Sequence, residues 1–416
     1  MKKRTYQSKE INQINLECIK KEINGEPVVF AVDVAKTMQF ALLGDEHGRC
    51  AKIIRWEHPQ ETDLMLTRLE ELECPVTVVM ESTSTYGDPI RYQCRERGFD
   101  IHQASAKRVH DAKEVYDGVP SMHDAKSATV IARFYWDGLT TPWQELNTQQ
   151  RELNSLAQEY DLHQSQHLRN LNKLEACLGR HWPGVTTIIG LDSVTLEQLL
   201  IEYGSPKQVA RHRKEAEQLI RKASRNMLKP EKIQQVLDSA STTLGVPCTQ
   251  GETHLIQTIA REMMHNRIEQ KRAREALQRI IEQEEPLTHM AKLIGRVTTA
   301  ILLSLHLDPR DYHCAQSYLK ALGLNLKEKS SGRYVGQLKI TKRGSDKARQ
   351  YLYFAALRLT QSCPTAKQWY DNKKTPNAKK KAVIAVMRKL AGGLWHVARG
   401  EAYAPTKLFN VSGKAA

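Results

Sequence analysis

Hydrophobic positions in the first 140 residues follow two different periods. The stretch 28–36, VVFAVDVAK, is an apolar run broken by one carboxylate, Asp33. Its β-branched content predicts a buried strand over 28–35. FALLGD at 40–45 and CAKIIRWEH at 50–58 predict two more, linked by short connections into an antiparallel meander. ETDLMLTRLEELE at 61–73 switches to helical spacing, with Leu64, Leu66, Leu69 and Leu72. PVTVVMEST at 75–83 predicts another buried strand, running into Glu81. PIRYQCRERG at 89–98 predicts a short helix opened by Pro and closed by Gly, and FDIHQAS at 99–105 a fifth strand. SMHDAKSATVIARFYWDG presents a small apolar face and predicts a helix with Asp124 in its first turn, where the helix dipole favours an acid.

Beyond a Gly- and Pro-containing linker at 137–147, helical spacing dominates. Residues 148–180 predict one long helix with a partial apolar stripe, broken by Trp182, Pro183 and Gly184. His163 and His167 stand four apart on it, which is metal-ligand spacing, but no third ligand is evident. They read instead as a solvated face or a phosphate contact. Short helices with basic surfaces fill 190–250, and a second long amphipathic helix follows at 253–284. AKLIGRVTTAILLSL at 291–305 predicts a turn at Ile294-Gly295 leading into a helix whose amides could take a phosphate. Residues 1–26 read as a flexible basic arm and 405–416 as a loose tail.

Charge narrows the partners. The chain has 416 residues and a formal charge of +15, an excess that points to an anionic partner, most simply nucleic acid. Residues 329–349 carry seven Lys or Arg against one acid, Asp346, with glycines interleaved, as suits a backbone-wrapping contact. The eight cysteines are scattered without a CxxC pair, which argues against a zinc ribbon or a disulfide framework. No apolar run approaches the ~18 residues of a membrane span, and no apolar signal core follows the basic start, so a cytoplasmic protein is expected.

The order β-β-β-α-β-α-β is that of the ribonuclease H superfamily, in which the first and fourth strands lie side by side. Asp33 and Glu81 would then meet at one end of the sheet. Two-metal phosphoryl chemistry needs several carboxylates around two divalent ions roughly 4 Å apart, and hard oxygen ligands suit Mg²⁺. Taken singly, Asp33 also reads as a turn cap and Asp124 as a helix cap. Ser330 and Ser331, in the basic loop, read by composition as part of a turn.

These residues carry a resemblance. AVDVAK, MESTSTYG, AKRVHDAKEVYDG and HDAKSATVIA resemble the RuvC-like domain of the DEDD insertion-sequence transposases, a family that includes pilin-gene invertases and bridge-RNA-guided recombinases. Asp33, Glu81 and Asp124 match the family's first three acids. Its fourth is replaced by Ser127, for which Asp117, Asp111 and His123 are the nearby substitutes. Residues 293–357 resemble the same family's C-terminal domain through Ile294-Gly295, Thr299-Ala300, Gly323-Leu324, Ser331-Gly332, Ile340, Lys342, Gly344 and Tyr351-Leu352.

The resemblance implies an α/β plus α architecture. A RuvC-like domain would span 27–140, a helical or coiled-coil middle 146–290, and a mostly helical transposase domain 291–404. It also implies a transposase that cleaves and rejoins DNA with a two-metal Mg²⁺ site at Asp33, Glu81 and Asp124. Ser331, or Ser330 one register away, would be the nucleophile of a covalent phosphoserine intermediate. Lys36, Lys107, Arg333, Lys342, Arg343 and Lys347 would contact nucleic acid. Donor and target DNA, a guide (bridge) RNA, a dimer or tetramer, and a prokaryotic nucleoid location follow from the same resemblance. Two other readings stay open: a RuvC-like nuclease without a serine intermediate, and a non-catalytic nucleic-acid-binding regulator.

Overall fold

The computed structural model describes residues 6–45, 47–48, 51–81, 85–115, 118, 123–328, 336, 338–376 and 378–409. The chain divides into two compact units, Met1–Glu145 and Leu146–Ala416.

The first unit is a mixed sheet with helices on both faces. Its strands are β1 (Ser8–Glu10), β2 (Val28–Asp33), β3 (Met38–Asp45), β4 (Lys52–Glu57), β5 (Val76–Glu81), β6 (Asp100–Ala104) and β7 (Thr141–Pro142). They lie in the order β1-β4-β3-β2-β5-β6-β7. β2, β3 and β4 form the antiparallel meander, while β2, β5 and β6 run parallel. This arrangement is compatible with a ribonuclease-H-like domain.

Side chains alternate across a strand, and that decides where the acids go. On β2, Val28, Phe30 and Val32 join one core with α1 (Leu16–Ile23), α2 (Thr62–Glu70) and α3 (Asp88–Glu96). Val29 and Ala31 join the other core, under α4 (Ala106–Ala112) and α5 (Asp124–Trp136). Asp33 continues the second set. On β5, Val76, Val78 and Met80 face the first core and Val79 the second, so Glu81 also falls on the α5 side. The buried Ala125, Ala128 and Ala132 let α5 approach the sheet closely.

Two expectations at the chain ends need correction. The stretch 1–26 is structured from Ser8 onward, with β1 pairing in parallel with β4 and Glu10 reaching Arg55 at 2.7 Å. Ile11, Ile19 and Ile23 are buried there, three apolar anchors too widely spaced to stand out in a polar stretch. At the other end, Phe409 is fully buried beside Trp369, ring centroids 5.8 Å apart, so the tail is docked at its start. The expected linker also supplies β7, which pairs with β6.

The second unit is helical. α6 (Thr148–His181) runs against the helix Gln250–Ile281, each opened by a capping box, Asn147 with Gln150 and Thr249 with Glu252. Two cores sit at the ends of this pair. Leu174, Leu178, Ile256 and Met263 join the short helices of 185–241. Leu153, Ala157, Leu277 and Ile281 share one core with Ile301, Leu352 and Leu390, so the apolar packing runs across the expected boundary at 290. Among the described residues, no helix is long and apolar enough to cross a membrane.

Ile11 offers a direct check on the docked N-terminus. Ile11→Ala should lower unfolding stability by about 2–4 kcal/mol in urea denaturation, whereas a loosely held arm would leave the midpoint unchanged.

Candidate functional site

Asp33 and Glu81 close the ends of two neighbouring parallel strands, and Asp124 opens the helix laid over them. Glu81 and Asp124 are close enough to act on the charge of Asp33. Asp33 is pushed up from its ordinary 3.8 to about 7. Burial is the largest cause, followed by repulsion from Glu81 and then from Asp124. Lys113 and a hydrogen bond donated by the Ser127 hydroxyl pull in the opposite direction.

Several buried groups fix this geometry. Gln39, fully buried, accepts from the Ala35 N–H at 3.0 Å and donates to its carbonyl at 2.6 Å. That clamp holds the loop leaving Asp33. The buried Arg91 donates to the Glu81 carbonyl at 2.9 Å and pairs with Asp88 at 2.6 Å, pinning the end of β5. Gly87 leaves room for it, since a Cβ there would meet the guanidinium at 2.9 Å. At the start of α5, the His123 ring nitrogen Nδ1 accepts from the Lys126 N–H at 3.2 Å. The cap presents Asp124 in the first turn.

The suggested substitutes for a fourth acid divide. His123 is engaged as the helix cap, Asp111 is exposed beside His110 at 3.5 Å, and Asp117 lies outside the described residues. Ser127 itself, 1% exposed, lies within hydrogen-bonding reach of Asp33, and its hydroxyl also faces the His123 carbonyl at 3.4 Å. Sequence reasoning missed Lys113, Gln39 and Arg91. A lysine in a basic run carried no distinguishing signal, and the two clamps act only through the backbone.

The expected nucleic-acid contacts are scattered. Lys36 and Lys107 are exposed in the first unit, and Lys342 and Arg343 are exposed in the second. Lys347 is instead paired with Asp161 at 2.8 Å. Arg333, Ser330 and Ser331 lie outside the described residues. Around the Ile294-Gly295 turn, a cavity of about 610 Å³ is lined by Arg274, Lys292, Arg296 and Arg358. Gly295 has φ +89°, a backbone conformation that favours glycine, and the Arg358 guanidinium lies 2.8 Å from where a Cβ would stand. Gly344 is forced, because its Cβ would lie 2.3 Å from the Ala321 carbonyl.

Strands ending in acids, with a third acid on the covering helix, are compatible with a domain of ribonuclease-H-like type. Two family models match the chain. One, for the DEDD transposases of the IS110 group and described as "Transposase", covers residues 30–183. The other, described as "Transposase IS116/IS110/IS902 family", covers residues 290–371. Together they support an IS110-family DEDD transposase, a DNA-processing enzyme of insertion-sequence transposition. No curated protein matches the chain.

The family matches correct one expectation. The DEDD domain uses a RuvC-like catalytic mechanism, and the family gives no support to a covalent phosphoserine intermediate. The nucleophilic role expected of Ser331, or of Ser330, is therefore withdrawn. Divalent-metal use is what the family implies, and the all-oxygen donor set of Asp33, Glu81 and Asp124 fits a hard cation.

The raised Asp33 has a measurable consequence. Between about 4 and 7, the folded chain keeps a proton that the unfolded chain has released, so stability of the metal-free protein falls as pH rises through this window. Asp33→Asn removes that penalty. In chelator, it should stabilise the fold by roughly 1–3 kcal/mol at pH 8 and by almost nothing at pH 4, read from urea midpoints at the two pH values.

Proposed function

We propose that the protein is a transposase that cuts DNA strands at a site held by Asp33, Glu81 and Asp124, by RuvC-like, metal-dependent chemistry. The observation that carries this reading is the convergence of Asp33, Glu81 and Asp124 at a buried spot, where burial first, and then repulsion from the other two acids, lifts Asp33 to about 7. Such crowding is costly in the absence of a cation, and clustered perturbed groups are the mark of catalytic sites. Mg²⁺, as a pair of ions, is the cofactor we assign. When bound, it supplies charge stabilisation on the scissile phosphate and a more acidic water.

The chain's own groups do the remaining work. Asp33 and Glu81, on rigid strand ends, hold ligand oxygens in a fixed relation. Asp124 adds a third from α5. Ser127 orients the Asp33 carboxylate by donating to it, and Lys113 offsets part of the negative charge. Lys36, Lys107, Lys342 and Arg343 are assigned to backbone phosphates of donor or target DNA. In keeping with the family resemblance, we further assign a guide RNA partner, a homodimer or tetramer, and a nucleoid-associated place in a prokaryotic cytoplasm.

Ser127 favours one competing reading, a regulator that binds nucleic acid at a decayed site. Cleavage assays separate the two. With Mg²⁺, the wild-type protein plus its element-end DNA should give nicked product, and Asp33→Asn, Glu81→Gln or Asp124→Asn should each lower the rate by at least ~10²-fold while binding in gel shifts persists. Tight binding with no Mg²⁺-dependent cleavage by the wild type, or full activity in these variants, would overturn the assignment.

A further inference from the structure

A second group of ligating side chains lies in the other unit and plays no part in the cleavage reading. It sits midway along the helix pair Thr148–His181 and Gln250–Ile281, between the two apolar cores. Glu159 and His163 are one turn apart on the first helix, and His265 and Glu269 are one turn apart on the second. Ligand atoms of Glu159, His163 and Glu269 lie within 4.8 Å of one another, and all three residues are partly buried. The His265 ring stands edge-on to that of His163, centroids 5.8 Å apart.

The imidazole of His163 is oriented by a buried neighbour. Asn266, 1% exposed, donates its Nδ2 to the Glu262 carbonyl at 2.7 Å, which fixes the amide. Its Oδ1 then faces His163 Nδ1 at 2.9 Å. An amide oxygen only accepts, so Nδ1 carries a proton, which makes Nε2 the ligand atom of the neutral ring. Metal-bound histidines are held in this way, with the far nitrogen donating to a protein oxygen.

The neighbouring cluster makes a useful contrast. His167, Asp192 and Glu197 are equally close together. There, however, the Arg267 guanidinium reaches Asp192 at 2.6 Å and Glu197 at 2.5 Å, so an arginine already supplies the cation. At the first cluster Glu269 meets Arg272 at 3.3 Å, but that arginine is 76% exposed, and a pair of this kind is weak enough for a divalent ion to displace. The sequence grouped His163 with His167 as one candidate pair. The structure sends them to different clusters.

We propose that Glu159, His163 and Glu269 bind a divalent transition-metal ion across the helix pair, with His265 beside them as a further donor. A mixed imidazole and carboxylate set suits Zn²⁺ or Mn²⁺ better than Mg²⁺. The ion would tie together two helices whose apolar contacts are concentrated at their ends, and would stabilise the fold by mass action.

The test uses the full chain carrying Asp33→Asn and Asp124→Asn, so that the acid cluster of the first unit does not compete, with Co²⁺ and Zn²⁺ as probes. One Co²⁺ per chain should bind with visible d–d bands, Zn²⁺ should displace it, and Zn²⁺ at about a hundredfold its Kd should raise Tm by several degrees. Glu159→Gln and Glu269→Gln should each abolish the bands and weaken Zn²⁺ binding at least tenfold, with helical circular dichroism unchanged. His167→Asn should leave the bands intact. Absence of a stoichiometric ion in the parent chain, bands that survive both glutamate variants, or loss that follows His167 would each overturn the proposal.

Discussion

The first unit is organised around a repulsion. Parallel pairing of β2 with β5 puts Asp33 and Glu81 at adjacent strand ends, and strand alternation turns both toward α5, where Asp124 waits. Burial, and after it the like charges, lifts Asp33 to about 7. A core that merely needed to pack would place valine there. The fold tolerates the acids because the surrounding elements are fixed by other contacts: the Gln39 clamp on Ala35, the Arg91 link to the Glu81 carbonyl, and the alanine face of α5. Each holds the backbone from which an acid projects, so the acids cannot relax apart.

The second unit handles buried polarity differently. Its long helix pair is apolar at both ends and polar in the middle, where His163, His167, Asn266 and Arg267 meet across the seam. The Arg267 network satisfies its carboxylates internally, including the fully buried Glu197 side chain. A buried polar layer of this kind costs stability relative to leucine and fixes which residues of the two helices stand opposite each other. Here it holds two long helices in one register over a span where apolar packing is thin.

Much of the first unit could be read in advance because its signals were local. The alternating runs at 28–35 and 75–83, and the switch to helical spacing between them, specify strands and helices from neighbouring residues alone. Strand order alone placed Asp33 beside Glu81, whereas Asp124 was assigned from its helix and the family resemblance. What escaped were features made by distant partners. β1 is three residues long and exists because β4 offers an edge. Phe409 is an unremarkable aromatic until Trp369 is beside it. His163 lacked a third ligand in the sequence because Glu269 lies more than a hundred residues away and only the antiparallel pairing of the helices brings it near.

Ser127 shows how a departure from the family's four acids can make physical sense. A fourth carboxylate at this position, 1% exposed and within hydrogen-bonding reach of Asp33, would add a third repulsion to a group already lifted by two. The hydroxyl does the reverse, donating to Asp33 and favouring its ionised form. Ionised is the form that can hold a hard cation. Removing one acid therefore lowers the total negative charge available to an ion but raises the fraction of the remaining first ligand that is ready to bind near neutral pH. The cost falls on a weaker field, and the benefit on a better-prepared Asp33. Both effects act on that one carboxylate, which burial and two neighbouring acids already lift.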